Sequence, residues 1–138
     1  MGQRTRAREC AFQMLYQKEM TGDPIDEVAA AYWRVRTAAE ATGRRAQGLA
    51  KGALDRLPEI DAAITRSLDN WRLDRLASVD RSILRLATYE LLAEPGTPSA
   101  VILDEAVEMA KRFGEADSAA FINGVLDAIR KSVRGEGG

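Results

Sequence analysis

From the first turn to the last, the apolar residues of this chain recur every three or four positions and never in alternation, which predicts an all-α fold. Ala7, Cys10, Ala11, Met14 and Leu15 fall at i, i+3, i+4, i+7 and i+8, so they share one face of a helix from Arg6 to Glu19 that Thr21, Gly22, Asp23 and Pro24 end. Val28, Ala31, Tyr32 and Val35 predict a second helix from Asp26 to about Ala41. Ala46, Leu49, Ala50, Ala53, Leu54 and Leu57 predict a third, which Pro58 breaks because it lacks an amide hydrogen and disfavours helical geometry at Leu57. Ile60, Ile64, Leu68 and Trp71 mark the fourth helix, and 72–77 reads as a connector. The fifth helix, opened by Ser78 and running to about Ala93, is apolar around most of its circumference, which makes it the central core helix. Thr97 with Pro98 opens a sixth that Gly114 stops, and Asp117 or Ser118 caps a seventh, followed by a Gly-rich tail expected to fray. Asn123-Gly124 signals a hairpin elsewhere, but here it lies inside a helical repeat.

A single domain is affordable without staples. Area scaling for a chain of 138 residues leaves roughly 7,000 Å² exposed of roughly 22,000 Å² when unfolded. No apolar run approaches the roughly 18 residues that span a bilayer, and the charged start lacks the apolar core of a secretory signal. The absence of His removes Ser-His and Cys-His couples and the commonest zinc ligand. One cysteine, Cys10, makes neither an intrachain disulfide nor a thiolate metal cluster; it lies on the apolar face of helix one as a packing residue, and a reducing cytosol fits. No cofactor or metal is therefore expected. With 20 Lys+Arg against 21 Asp+Glu, the formal net charge of −1 leaves any nucleic-acid role to local patches.

The stretch 43–50, GRRAQGLA, imitates the start of a phosphate loop but has Leu49 and Ala50 where Lys and Ser or Thr are required. Glu90 falls in the core stripe of helix five and needs a partner, an Arg or helix-end amides; as a general acid or base it would have nothing nearby to share the chemistry. Gly48 and Gly52, four apart, either permit close helix approach or are simply exposed.

Two surface features remain. Arg4, Arg6 and Arg8 alternate on a flexible N-terminal arm, which either binds phosphates or is a solvated terminus. Phe12, Tyr16 and Met20, four apart, lie on the side of helix one away from Ala7, Cys10, Met14 and Leu15. Either that helix is buried on two sides or it offers one of them to a partner.

Three separated stretches, RTRARECAFQMLYQ from Arg4, DRSILRLATYELL from Asp80 and VILDEAVEMAKRFGEADSAAFINGVLDAI from Val101, closely resemble the bacterial antitermination factors of the NusB family. The resemblance covers nearly the whole chain, with 21–57 weakly patterned. It implies about seven helices in two small packed bundles, 1–70 and 71–138, within one RNA-binding domain. It also implies binding of single-stranded boxA RNA of ribosomal RNA transcripts together with NusE, a small-subunit ribosomal protein, in the antitermination complex of RNA polymerase. By motif, Arg4, Arg6 and Arg8 match the RNA-contacting arm, and Phe113, Gly114, Asp117, Ser118 and Phe121 match a second RNA-contacting region. Tyr16, Met20 and Asp80 match positions facing NusE, so the stripe that includes Phe12 coincides in part with that interface. Thr5, Asp80 and the order Glu115-Ala116 depart from common patterns without deleting a motif.

Physically, about three arginine contacts to a single strand give a salt slope of only about −2, so the chain alone should bind weakly. Selectivity would come from bases stacked on Phe113 or Phe121 and from Asp117 and Ser118 as hydrogen-bonding groups, unless the rings are core and Asp117 is a cap. Two other readings stand beside this one. A similar helical domain fronts some ribosomal RNA methyltransferases, although the Gly-rich cofactor loop and catalytic Cys are missing here. The stripe could also serve a helical homo-oligomer, a homodimer for instance, without RNA. A cytoplasmic protein that is not an enzyme is the expectation.

Overall fold

The computed structural model describes residues 1–137, and these form seven α-helices with no strand among the described residues. In chain order they are α1 (Gln3–Thr21), α2 (Ile25–Val35), α3 (Glu40–Asp55), α4 (Leu57–Ser67), α5 (Ser78–Ala93), α6 (Ser99–Phe113) and α7 (Ser118–Arg134), with one 3₁₀ turn at Leu73–Arg75 before α5. Gly22 ends α1 at φ +76°, a left-handed geometry that a side chain would resist, and its N–H donates to the Lys18 carbonyl at 2.8 Å. Pro58 sits in the first turn of α4, where its missing donor costs nothing, and the chain bends between α3 and α4 as the sequence requires.

Helix α5 packs against α1, α3, α4, α6 and α7, and its Ile83, Leu84, Leu86 and Leu91 are buried. The larger hydrophobic cluster runs through all of these helices. A smaller one joins Ala7, Cys10 and Met14 of α1 to Val28, Ala29 and Tyr32 of α2 and Ala46 of α3. Helix α1 is the wall between them, because Ala11, Phe12 and Leu15 on its other side belong to the larger cluster. A boundary near residue 70 thus falls between elements that share a core.

Several details differ from the sequence expectation, the first being that Ala11 and Leu15 join Phe12 on the second side of α1 rather than sharing one face with Ala7, Cys10 and Met14. Helix α1 starts at Gln3, so Arg4, Arg6 and Arg8 are helical rather than on a loose arm. Helix α2 stops at Val35, six residues early, where Arg36 turns extended, places its guanidinium 4.7 Å from the Tyr32 ring centroid and leaves the Thr37 carbonyl to accept from Arg6 at 3.4 Å. Helix α4 ends at Ser67, which puts Trp71 outside the helix and 61% exposed instead of in a core stripe. Within the tail, whose last residue, 138, lies outside the described residues, Glu136 is tied down, since it accepts from the Ser99 hydroxyl at 3.0 Å.

Arg134, at the end of α7, closes the C-terminus of α5. Its guanidinium donates to the carbonyls of Leu91, Thr97 and Glu94 at 2.9, 2.7 and 2.9 Å, to that of Glu90 at 3.3 Å, and to the Ser99 hydroxyl at 3.1 Å. The Leu91 carbonyl lies in the last turn of α5, where the helix supplies no donor, whereas the Glu90 and Glu94 carbonyls also accept the backbone N–H groups of Glu94 and Thr97, each at 3.0 Å.

Candidate functional site

Side chains of helices α1 and α6 meet along a seam, and several of the candidate residues lie along it. Near its start the Thr5 hydroxyl donates to Glu105 of α6. Arg8 is 2% exposed; its Nε donates to both carboxylate oxygens of Glu90 at 2.9 and 3.0 Å and its Nη1 to Glu105 at 3.1 Å. The arginine expected at a phosphate is therefore the partner that Glu90 needed. Burial pushes the Glu90 carboxyl above its usual range, against the pull of Arg8, with Glu94 adding a smaller push in the same direction. Arg45 stands 3.9 Å from Glu90 and bonds Glu94 at 3.1 Å. Arg4 is exposed, and Arg6 is half-buried, 3.9 Å from Glu9, so two of the three arginines keep access to solvent.

Further along, Glu9 is buried and accepts from Arg112, whose guanidinium also sits 5.2 Å from the Phe113 ring centroid. The Phe113 ring lies 5.3 Å from that of Phe12, which in turn is 6.4 Å from Tyr16. Phe12 is buried beneath Phe113, which removes it from the open stripe; Tyr16 is half-buried, and only Met20, 53% exposed, is free. Helix one is thus buried on its second side at Phe12 and open there at Met20.

The two sets of candidate residues converge at the α6–α7 junction. A groove of about 260 Å³ is lined by Tyr16 and Asp80 from the partner-facing set and by Phe113, Gly114 and Ser118 from the RNA-contacting set. Next to it a cleft of about 150 Å³ is lined by Asp80, Asp117, Phe121, Leu76, Ala77, Arg75 and Trp71. Gly114 is required there: a Cβ would stand 2.7 Å from the Ser118 side chain and 2.9 Å from the Ala110 carbonyl oxygen. That close approach lets the buried Ser118 hydroxyl accept from the Glu115 N–H at 3.0 Å. Asp117 occupies the N-cap position of α7 without a side-chain capping bond and is exposed, so its carboxylate faces solvent. Phe121 is half-buried.

Asp80, in the first turn of α5, is half-buried with its Oδ1 enclosed and unpartnered. Burial pushes its carboxyl upward; the Ser118 hydroxyl offsets part of this, while the charges of Asp117 and Glu115 add to it. The junction therefore holds three carboxylates with no cation bonded to Asp80, an arrangement that a donor from outside would relieve. Gly52 also has a use: a Cβ there would stand 2.2 Å from the Tyr89 hydroxyl, so the close approach it permits is within the chain, while Gly48 faces open space.

Sequence reasoning missed Trp71, which borders both the cleft and a second groove between the end of α4 and α7. Three helical spacings carried it into the α4 stripe. The Asp69-Asn70 pair before it was the available signal that the helix had ended.

The model of the NusB family matches residues 5–131. The transcription antitermination protein NusB of Sorangium cellulosum is 46% identical over 134 residues, covering 96% of this chain and 95% of that protein. The fold is similar to that of T. maritima NusB, with a TM-score of 0.85, 36% identity and coverage of 95% of this chain and 92% of the other. A structure of antitermination factors NusB and NusE in complex with double-stranded RNA superposes with a TM-score of 0.88 at 28% identity, covering 96% and 98%.

Proposed function

The chain belongs to the NusB family, and from that premise we propose that it is a transcription antitermination factor that binds RNA together with NusE. The finer reading is that the RNA is the single-stranded boxA element of ribosomal RNA transcripts and that the complex joins RNA polymerase in the cytoplasm. The observation that carries this reading is the α6–α7 groove, in which Tyr16 and Asp80 stand with Phe113, Gly114 and Ser118. Two ligands that share one groove fix each other's contacts, so each should bind better in the presence of the other.

Arg4 and Arg6 supply the phosphate attraction of α1. Arg8, spent on Glu90, positions them by fixing the first turns of α1 against α5 and α6. With two contacts instead of three, the salt slope contributed by α1 falls to about −1.4 on a single strand. Phe113 and Phe121 each keep part of their surface accessible for a base, and the unbonded Asp117 carboxylate accepts a base amino hydrogen while repelling a misplaced phosphate. The unpartnered Oδ1 of Asp80 accepts a donor from NusE.

Titrating a labelled boxA-type RNA with the purified chain, with and without NusE, tests the proposal. An affinity gain of about 5- to 150-fold from NusE is the expected coupling. Additive binding of the two ligands, or no RNA binding at all, would overturn it.

A further inference from the structure

Trp71 is the largest exposed aromatic side chain on the surface, and nothing in the function proposed so far uses it. It borders a cleft of about 150 Å³ together with Phe121, with Asp117 and Arg75 also in the lining. That volume is about the size of a single benzene-sized ring, and the cleft is open on its Trp71 side. On its other side Trp71 borders the groove that contains Arg72. Arg72 pairs with Asp74 at 2.9 Å, but both side chains are more than half exposed, so that pair contributes little and yields readily to another anion.

We propose that the Trp71–Phe121 cleft takes one unpaired base of the bound RNA, stacked on Trp71, with Asp117 accepting from the base's amino group and Arg75 and Arg72 meeting the phosphates on either side. This rests on the RNA-binding reading above and extends the RNA path from the α6–α7 junction onto the connector before α5. Three features favour a nucleobase over a side chain of the protein partner. Two aromatic rings line a space of single-ring size, Asp117 at its rim suits an exocyclic amino group, and Arg75 and Arg72 stand on either side of Trp71 where the flanking phosphates would run. The carboxylate also gives a preference among the single-ring bases: cytosine offers an amino hydrogen, whereas uracil offers none.

The chain has two tryptophans, and Trp33 is half-buried with its ring edge-on to Tyr32 at 4.9 Å, so W33F leaves Trp71 as the sole reporter. In the complex of chain, NusE and boxA-type RNA, fluorescence in the W33F background should be quenched when RNA is added. W71A should weaken RNA binding about 5- to 150-fold with the salt slope unchanged, and W71F should recover most of the loss. Abasic substitutions scanned along the RNA should include one position at which the loss and that of W71A do not add.

RNA binding and NusE coupling intact in the wild type, with W71A equal to it and no quench, would overturn this inference and leave the functional reading standing. Absence of RNA binding by the wild type would overturn both. Weakened binding of NusE to W71A without RNA would assign the cleft to the protein partner and overturn the inference too.

Discussion

Replacing Arg8 by Ala separates a buried ion pair from an RNA contact. Glu90 is 1% exposed and holds two hydrogen bonds from the Arg8 Nε. Removal of one partner from such a pair leaves a buried charge and costs about 3–5 kcal/mol, a large part of the roughly 5–15 kcal/mol that holds a domain together. At a cost of about 4 kcal/mol and a denaturant slope of about 2 kcal/mol per molar, the urea midpoint falls by about 2 M. The deficit also depends on pH. Burial already raises the Glu90 carboxyl, and without Arg8 the main opposing influence is gone, so its folded-state pKa rises further above the unfolded value. The folded state then binds a proton more readily than the unfolded one. Stability of R8A is therefore lost as pH rises through that raised value and regained below the unfolded carboxylate range. Changing both residues to apolar ones, R8M with E90L, should bring stability back to the wild-type level or up to about 4 kcal/mol above it, since Glu105 keeps Thr5 and Arg45 keeps Glu94. A cost for R8A below about 1 kcal/mol at neutral pH, with no improvement in acid, would refute the reasoning.

Two further substitutions probe the junction. D80N removes a carboxyl that burial and two neighbouring charges push upward; the variant should gain stability above the folded-state pKa of Asp80 and lose that advantage below the unfolded one, while its coupling to NusE weakens, measurable by thermal unfolding across pH and by NusE titration. G114A places a methyl against Ser118 and the Ala110 carbonyl; overpacking of this kind costs about 1–3 kcal/mol, and both RNA and NusE affinity should fall together because the displaced Ser118 belongs to the shared groove.

Legibility in the sequence followed whether a residue's fate was decided within its own helix. The all-round apolar pattern of 78–93 predicts a central helix, and α5 is one, because burial on every side leaves a local signature. The end of α2 left none: 36–39 holds neither Gly nor Pro, and the break comes with contacts from elsewhere, Arg6 on the Thr37 carbonyl and Arg36 on Tyr32. The same holds for the site. Glu90 announces its need for a cation, but an Arg-x-Arg-x-Arg run cannot say which of its members turns inward. On α1, Arg8 lies angularly between Leu15 and Phe12, both buried, and that flanking was the one available hint. Phe12 reads as surplus until Phe113, a hundred residues on, is known to cover it.

The closure of α5 by Arg134 has a consequence for how the chain is made. The ribosome delivers the central helix before α6 and α7, and the Leu91 carbonyl in its last turn waits through both for the side chain that bonds it. Until that turn of α7 is released, the helix on which five others pack lacks the guanidinium that ties its end to the start of α6, so its last turn is secured only once α7 is made. Folding of this molecule is closed from its far end, and a chain stopped one helical turn short would carry nearly all of its apolar surface without the clasp that holds it.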